Sequence, residues 1–253
     1  MEPIKKNNSQ WQTQELTDKF LNDVRGAIPG AGQQFAVIGK IVDLWCQSPV
    51  NILDLGCGNG ILGSFLLDRF PAANCLFLDF SEPMLEAARE NIGSLPNATV
   101  EKADFSSPQW VKTLNSADRF DIVISGFAIH HQPDERKCEL YSEVFNLLSP
   151  GGVFLNLEHV ASATAAGQNV FNEFFIDHLC DFHNRSEPDV KRKTIASEYY
   201  DRPDKEENLL AQVELQCQWL REIGYEDVDC FFKIFELALF GGRKTTSNTP
   251  EIR

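Results

Sequence analysis

The sequence lacks the features that mark membrane, secreted and disulfide-bonded proteins. No apolar run approaches the ~20 residues that a membrane-spanning helix needs. Residues 1–14 are polar and have no apolar core of the kind found in a signal peptide. The seven cysteines form no CxxC pair and no regular framework, which is typical of free thiols in a reducing compartment. We therefore expect a cytoplasmic protein without a membrane segment.

Positive charge is also scarce. Lys and Arg number 23 against 37 Asp and Glu, which gives a formal net charge of −14. A surface this acidic repels phosphate backbones, so nucleic acid is disfavoured as a partner. The hydrophobic fraction of 43% excludes a disordered chain, and 253 residues suffice for one large domain. The sequence does not indicate an oligomeric state.

Short apolar runs alternate with segments of helical periodicity through the middle of the chain. The predicted strands are 50–55, 75–78, 98–101, 121–125 and 153–157, and the predicted helices between them are 61–70, 84–92, 108–114 and 133–148. This alternation predicts an α/β fold with a doubly wound, Rossmann-like parallel sheet and helices on both faces. The strands at 228–232 and 237–240 are too close for a crossover helix, so the last strand is predicted to be antiparallel.

Two segments fall outside this alternation. Residues 1–34 form a predicted helical arm that Pro29 and Gly30 break from the next helix. Residues 160–210, with mixed charge and scattered aromatic residues, form a predicted helical insert over the active site. We therefore expect a single domain, 1–253, with the arm and the insert attached to it.

The strongest motif is Asn-Ile-Leu-Asp-Leu-Gly-Cys-Gly-Asn-Gly at residues 51–60. A buried strand runs into Gly56, Gly58 and Gly60, and a helix follows directly. Such glycines let the backbone turn sharply against a ligand, while the helix start offers free N–H groups to an anion. Gly58, Gly60 and Gly63 also fit the pattern G-x-G-x-x-G, so the glycines alone are compatible with a dinucleotide ligand as well.

Asp54 lies inside the strand, just before the glycines, and indicates a ligand other than a dinucleotide. An acidic residue followed by G-x-G-x-G resembles motif I of the class I S-adenosylmethionine-dependent methyltransferases. The runs 120–131 and Pro150-Gly151-Gly152 are also similar to that family, and the resemblance covers about residues 35–160. It implies S-adenosyl-L-methionine as cofactor and methyl transfer as the activity, with Asp54 and the glycine loop at the methionine part of the cofactor.

The same resemblance implies roles for residues at the ends of the next strands. Asp79 ends the second predicted strand, where a carboxylate can accept hydrogen bonds from both ribose hydroxyls, and Ser81 is the better candidate for the helix cap. The remaining cofactor-binding residues implied are Phe80 and Met84 against the adenine, Asp104 and Phe105 as the acidic-aromatic pair at its amino group, and Ser125 and Gly126 beside the sulfonium.

Methyl transfer depends mainly on positioning, and a base is needed only where the acceptor must lose a proton. His131 and Glu158 follow the fourth and fifth predicted strands and are the candidate catalytic residues. The alternative for such a histidine is a structural bond to the backbone of its loop.

Three residues of the insert are candidates for substrate binding. Arg192, Tyr199 and Tyr200 can hold a carboxylate substrate, or they can belong to a solvated lid. The insert also carries His178, Cys180, Asp181 and His183, but no companion cluster at ligand spacing accompanies them, so no metal site is predicted.

These observations favour methylation of oxygen or nitrogen on a small-molecule acceptor. An alternative comes from Arg25, the run Ile28-Pro29-Gly30, and residues 219–225 and 231–244, which are distantly similar to the carboxy-S-adenosylmethionine synthase family. That resemblance implies an enzyme that prepares a cofactor for tRNA modification. The third alternative is a cofactor-binding protein without turnover.

Overall fold

The computed structural model describes residues 28–114, 119–186, 191–202 and 207–246, together with Thr13 and Lys205. The helix predicted at 16–24 and the residue Arg25 lie outside these ranges, as does most of the predicted arm.

A seven-stranded sheet forms the centre of the molecule. Its strands are β1 (Asn51–Leu55), β2 (Asn74–Asp79), β3 (Ala98–Lys102), β4 (Phe120–Gly126), β5 (Leu148–His159), β6 (Glu226–Ile234) and β7 (Leu237–Arg243). Their order is β3-β2-β1-β4-β5-β7-β6, with β1 to β5 paired in parallel and β7 antiparallel to both of its neighbours. The predicted Rossmann-like sheet with an antiparallel C-terminal strand is confirmed.

Helices cover both faces of this sheet. They are α1 (Ala31–Trp45), α2 (Ile61–Arg69), α3 (Glu82–Ile92), α4 (Asp134–Leu147), α5 (Ala165–Ser186), α6 (Arg192–Asp201) and α7 (Val213–Ile223). Side chains alternate across a strand, so Ile52 joins the core formed with α1, α2 and α3, whereas Leu53 joins the core formed with α4 and α7. These two cores account for the apolar character of the buried strands.

Three predicted elements differ in the structure. The segment predicted as a helix at 108–114 is a short 3₁₀ helix, Pro108–Thr113, held by the buried Trp110, whose indole N–H donates to Glu143 (2.6 Å). The predicted turn at Pro150-Gly151-Gly152 belongs to β5, because the N–H of Gly151 and the C=O of Gly152 bond to Lys244 beyond the end of β7. The helix predicted from residue 209 begins at Val213.

Helices α5 and α6 lie in the segment predicted as a helical insert, residues 160–210. They share a small core with Leu237 and contact Phe127, which follows β4. The ring of Phe174 lies 4.2 Å from that of Phe235 in the turn between β6 and β7. The insert is thereby attached to the carboxyl edge of the sheet. None of the helices that the structure describes is long and apolar enough to cross a membrane.

Candidate active site

A cleft opens at the carboxyl ends of β1, β2 and β4. The chain order of the strands changes direction here, because β2 and β3 lie on one side of β1 whereas β4 and β5 lie on the other. This is where open α/β sheets bind their ligands. The cleft encloses about 60 Å³, and about 600 Å³ when its open part is included. Its walls consist of Gly56, Gly58, Asp79, Phe80, Ser81, Met84, Asp104, Phe105, Gly126, Phe127, Ala128, His131 and Gln132. Most of the residues predicted to bind the cofactor therefore share one cleft.

The glycine loop after β1 fits closely against the neighbouring chain. Gly56 has a φ of +69°, and a Cβ placed on it would lie 2.3 Å from the Cβ of Ala128. The N–H groups of Gly56 and Cys57 both donate to the carbonyl of Leu78 in β2 (2.8 and 2.9 Å). Only glycine meets both the backbone conformation and the close approach at this position.

Asp79 joins the glycine loop to the start of α3. Its carboxylate accepts one hydrogen bond from the N–H of Gly58 and one from the N–H of Ser81, each at 2.9 Å. Burial raises the pKa of Asp79 above its usual value, and these backbone N–H groups oppose that rise. Ser81 also caps α3, since its hydroxyl accepts from the N–H of Met84 (3.4 Å). The predicted cap at Ser81 is thus confirmed.

Asp54 lies beneath the loop rather than in the cleft. It is almost fully buried, and its Oδ2 accepts a hydrogen bond from the N–H of Gly63 in α2 (2.8 Å). Asp54 lines a second cavity that adjoins the cleft. Its visible structural effect is to fix the junction between the glycine loop and α2.

The opposite end of the cleft is apolar. Met84 and Phe105 are both buried, whereas Asp104 is exposed and accepts a hydrogen bond from the N–H of Ser106 (2.8 Å). Arg136, which the sequence did not single out, holds this wall by donating from Nε to the carbonyl of Phe105 (3.0 Å). An aromatic surface with a carboxylate at its rim suits a flat heterocycle that carries an amino group.

The two residues predicted at the end of β4 point in different directions. Gly126 lines the cleft, whereas Ser125 is fully buried and its hydroxyl donates to the carbonyl of Leu55 (2.7 Å). Phe127, which belongs to none of the predicted site residues, also lines the cleft and has a φ of +54°. Left-handed backbone is rare for a residue other than glycine, and nothing in the sequence signals it at a phenylalanine.

Glu158 is buried behind the cleft and does not line it. One carboxylate oxygen accepts from the N–H of His130 (3.0 Å), and the other lies 2.5 Å from Nδ1 of the same histidine and accepts from the N–H of His159 (3.0 Å). Burial raises the pKa of Glu158 to about 7 and lowers the pKa of His130 well below its usual value. Because burial disfavours both charged forms, both side chains of the His130–Glu158 pair favour their neutral forms below about pH 7.

His131 is the residue of this group that reaches the cleft. Its ring lies 3.9 Å from the ring of His130, and its Nδ1 lies 3.3 Å from the carbonyl of Glu207. Glu158 is thus linked to the wall of the cleft through His130, whose ring contacts that of His131.

The three residues predicted to bind substrate lie elsewhere. Arg192 is exposed and donates to Asp177 and Glu173 of α5, each at 2.7 Å, which ties α6 to α5. Tyr199 is buried with its hydroxyl 3.1 Å from Oδ1 of Asn172, and Tyr200 is exposed. None of the three is among the described residues that line the cleft or the cavity beside it, so their role in substrate binding stays a prediction.

In the part of the chain that the structure describes, no group of three or more His, Cys, Asp or Glu side chains is arranged to hold a metal ion. The histidines and acidic residues of the insert noted above lie along α5.

Comparison with known proteins agrees with this geometry. Residues 52–152 match the family model described as a methyltransferase domain. The chain is 23% identical over 235 residues to the carboxy-S-adenosyl-L-methionine synthase of Shewanella sediminis, and the match covers 92% of each chain.

Two solved structures share the fold. An O-methyltransferase family protein from Burkholderia thailandensis matches with a TM-score of 0.58 and 16% identity, over 94% of this chain and 64% of the other. Human N-acetylserotonin methyltransferase in complex with SAM matches with a TM-score of 0.59 and 12% identity, over 94% and 58%. The chain spans less than two thirds of the length of these two proteins. Residues 52–152 thus match a methyltransferase domain, and the seven-stranded sheet with its antiparallel last strand is the fold that these methyltransferase structures share.

Proposed function

We propose that this protein transfers the methyl group of S-adenosyl-L-methionine to an oxygen or nitrogen atom of a small-molecule acceptor. The observation that carries the proposal is the composition of the cleft. A glycine loop, a buried carboxylate and an aromatic wall follow one another there in the order that the three parts of the cofactor require.

Each part of the cleft suits one part of the cofactor. Gly56 and Gly58 line the cleft and would provide the close backbone approach for the methionine end. Gly60 immediately precedes α2 and packs against Ile92 and Phe77, so it would act by shaping the loop. Asp79, already oriented by two backbone N–H groups, can accept hydrogen bonds from the ribose hydroxyls. The adenine would then lie against the aromatic wall, near Phe80, Met84 and Phe105, with Asp104 at its amino group. Gly126 would lie beside the sulfonium, whose methyl group already has a good leaving group.

His131 is proposed as the base for acceptors that must lose a proton. It is the histidine among the residues that line the cleft, and the ring of His130 lies 3.9 Å from its ring at an angle of 43°. Glu158 is proposed as a positioning residue, because its hydrogen bonds fix His130 and the loop after β4. The insert is proposed to cover the acceptor, since α5 and α6 contact Phe127 at the mouth of the cleft.

The first test is titration of the purified protein with S-adenosyl-L-methionine and with NAD in a calorimeter. The proposal predicts heat of binding for S-adenosyl-L-methionine and none for NAD. A screen of small molecules with labelled methyl donor would then identify the acceptor. A folded protein that binds NAD and not S-adenosyl-L-methionine would contradict the proposal.

His131→Gln tests the proposed base once an acceptor is known. General base catalysis contributes roughly 10²–10⁴-fold, so kcat should fall about 100-fold or more, with little change in the affinity for S-adenosylhomocysteine. His178→Gln is the matched control, since His178 lies on α5 with its Nδ1 3.2 Å from the carbonyl of Phe174. Equal kcat values for the two variants would limit His131 to a structural role.

A second candidate function is synthesis of a carboxylated cofactor. The observation that favours it is the match to a carboxy-S-adenosyl-L-methionine synthase over 92% of both chains. Mass spectrometry of nucleosides that co-purify with the protein distinguishes the two proposals. Carboxylated cofactor would favour the synthase, whereas S-adenosyl-L-methionine or S-adenosylhomocysteine would favour methyl transfer.

A further inference from the structure

A short stretch at the end of the insert, the 207–209 segment, contacts the loop that follows β4. The N–H of Leu209 donates to the carbonyl of His130 (2.9 Å). The carbonyl of Glu207 lies 3.3 Å from Nδ1 of His131, which is 76 residues away in the chain. Backbone atoms of one segment therefore contact both histidines of this loop.

Lys137 fixes the 207–209 segment to α4. Its side chain is only 1% exposed, and its ammonium group donates to the carbonyl of Leu209 and to the carboxylate of Asp134 (2.7 Å). Lysine is almost never buried this completely unless its charge has partners. Hydrogen bonds from an ionised donor are roughly twice as strong as those between neutral groups. Lys137 therefore holds the segment, and with it the carbonyl of Glu207, in one position.

The carbonyl of Glu207 decides which ring nitrogen of His131 carries the proton. A carbonyl oxygen only accepts hydrogen bonds, so Nδ1 must be the N–H that donates to it. A neutral imidazole ring has one N–H, and Nε2 is then the nitrogen that can accept a proton. Nδ1 of His130 instead lies 2.5 Å from the carboxylate of Glu158. The two adjacent histidines are thus oriented by different partners.

We infer that Lys137 is a positioning residue which, through the 207–209 segment, keeps neutral His131 in the tautomer protonated at Nδ1. This inference rests on the proposed function, in which Nε2 of His131 takes the acceptor's proton. That proton leaves the acceptor's O–H or N–H group, and the electron pair it leaves behind forms the bond to the methyl carbon. The electrons of the broken carbon–sulfur bond return to the sulfur. The imidazolium that results keeps its Nδ1–H directed at the Glu207 carbonyl.

The test is the ¹⁵N NMR spectrum of the histidine rings, recorded above the ordinary histidine pKa of ~6.5. Protonated and unprotonated ring nitrogens differ widely in ¹⁵N shift, and correlations to the carbon-bound ring protons distinguish Nδ1 from Nε2. The chain has five histidines, so the spectrum contains few signals. The set that is missing from the spectrum of His131→Gln belongs to His131.

Lys137→Met removes the ammonium group and keeps the length of the side chain. Lys244→Met is the matched control, because Lys244 also donates to backbone carbonyls, those of Phe145 and Leu148 (2.9 Å each), at the other end of α4. Lys137→Gln is the second variant. Its shorter, uncharged amide keeps a polar group at the buried position, should the methionine variant fail to fold.

The inference predicts that His131 is protonated at Nδ1 in the parent and in Lys244→Met. In the Lys137 variants the ratio of the Nδ1–H form to the Nε2–H form should fall about fivefold or more, the factor that the loss of one ordinary hydrogen bond produces. A parent with the proton on Nε2, or a folded Lys137 variant with an unchanged ratio, would overturn the inference. An equal change in Lys244→Met would also overturn it, since lost stability alone would then explain the shift.

S-adenosylhomocysteine binding, measured calorimetrically on the same samples, separates this inference from the proposed function. A parent that does not bind S-adenosylhomocysteine would refute the proposed function. A parent that binds it but carries the His131 proton on Nε2 would overturn the inference alone.

Discussion

Asp79→Ala is the substitution that examines the proposed cofactor site most directly. The carboxylate of Asp79 is buried, and its oxygens already accept hydrogen bonds from Gly58 and Ser81. Alanine would remove the proposed acceptor of the ribose hydroxyls and leave those two backbone N–H groups without this partner.

The size of the effect follows from these hydrogen bonds. A hydrogen bond to a charged group contributes ~1.5–3 kcal/mol. Loss of one ribose contact should therefore raise the Kd for S-adenosyl-L-methionine by roughly 10–150-fold, at 1.4 kcal/mol for each factor of ten, and loss of both contacts should raise it further. Because burial raises the pKa of Asp79, acid should weaken cofactor binding in the parent as this carboxylate gains a proton.

The assay is isothermal titration of parent and variant with S-adenosyl-L-methionine, and Asp121→Ala provides the control. Asp121 also accepts two backbone hydrogen bonds, from Val50 (2.7 Å) and Asn51 (3.1 Å), but it lies at the opposite edge of the sheet. Both variants should lose stability, and only Asp79→Ala should lose affinity. An unchanged Kd in a folded Asp79→Ala protein would refute the assignment of the ribose site.

Other predictions concern stability. The pKa of Glu158 is about 7 in the folded protein, against an ordinary value of 4.5. Between these two pH values the folded protein keeps a proton on Glu158 that the unfolded chain has lost. The free energy of unfolding therefore falls as pH rises from 4.5 to 7. Glu158→Gln removes that loss, so its stability relative to the parent should rise by up to about 3 kcal/mol between pH 5 and pH 8 in denaturant titrations; a constant difference would contradict the raised pKa. Gly63→Ala should destabilise the fold by about 1–3 kcal/mol, because its Cβ would lie 2.3 Å from the ring of Phe77. In Gly32→Ala the new Cβ in α1 would have no atom within 4 Å, so this variant should be more stable than the parent by about 0.5–1 kcal/mol. Thermal unfolding of both glycine variants measures these effects, and a Gly63→Ala protein more stable than Gly32→Ala would contradict both predictions.

Much of the site was predictable because its determinants are local in sequence. The glycines at 56, 58 and 60 follow a buried strand directly, and the position of Asp79 at the next strand end requires only that the two strands be parallel neighbours. The pairing of β1 with β2 meets that requirement. Gly58 and Asp79 are then brought together.

Side-chain directions beyond these strand ends could not be predicted. Glu158 and Arg192 were chosen because their residue types suit catalysis and carboxylate binding. The fold turns Glu158 toward His130 behind the cleft and pairs Arg192 with Asp177 and Glu173 of α5. Each outcome depends on which element packs opposite the residue, and the local pattern does not contain that information.

The sequence by itself determined the succession of strands and helices along the chain, the antiparallel last strand and the glycine loop with its acidic neighbours. Apolar periodicity and glycine positions act over a few residues, so the sequence contains this information directly. Only the tertiary structure decided the left-handed backbone of Phe127, the burial of Glu158 and the cavity beside the cleft. These features arise where α1, β4, β5 and the insert meet. Segments distant in the chain create such a space together, so their packing decides its shape.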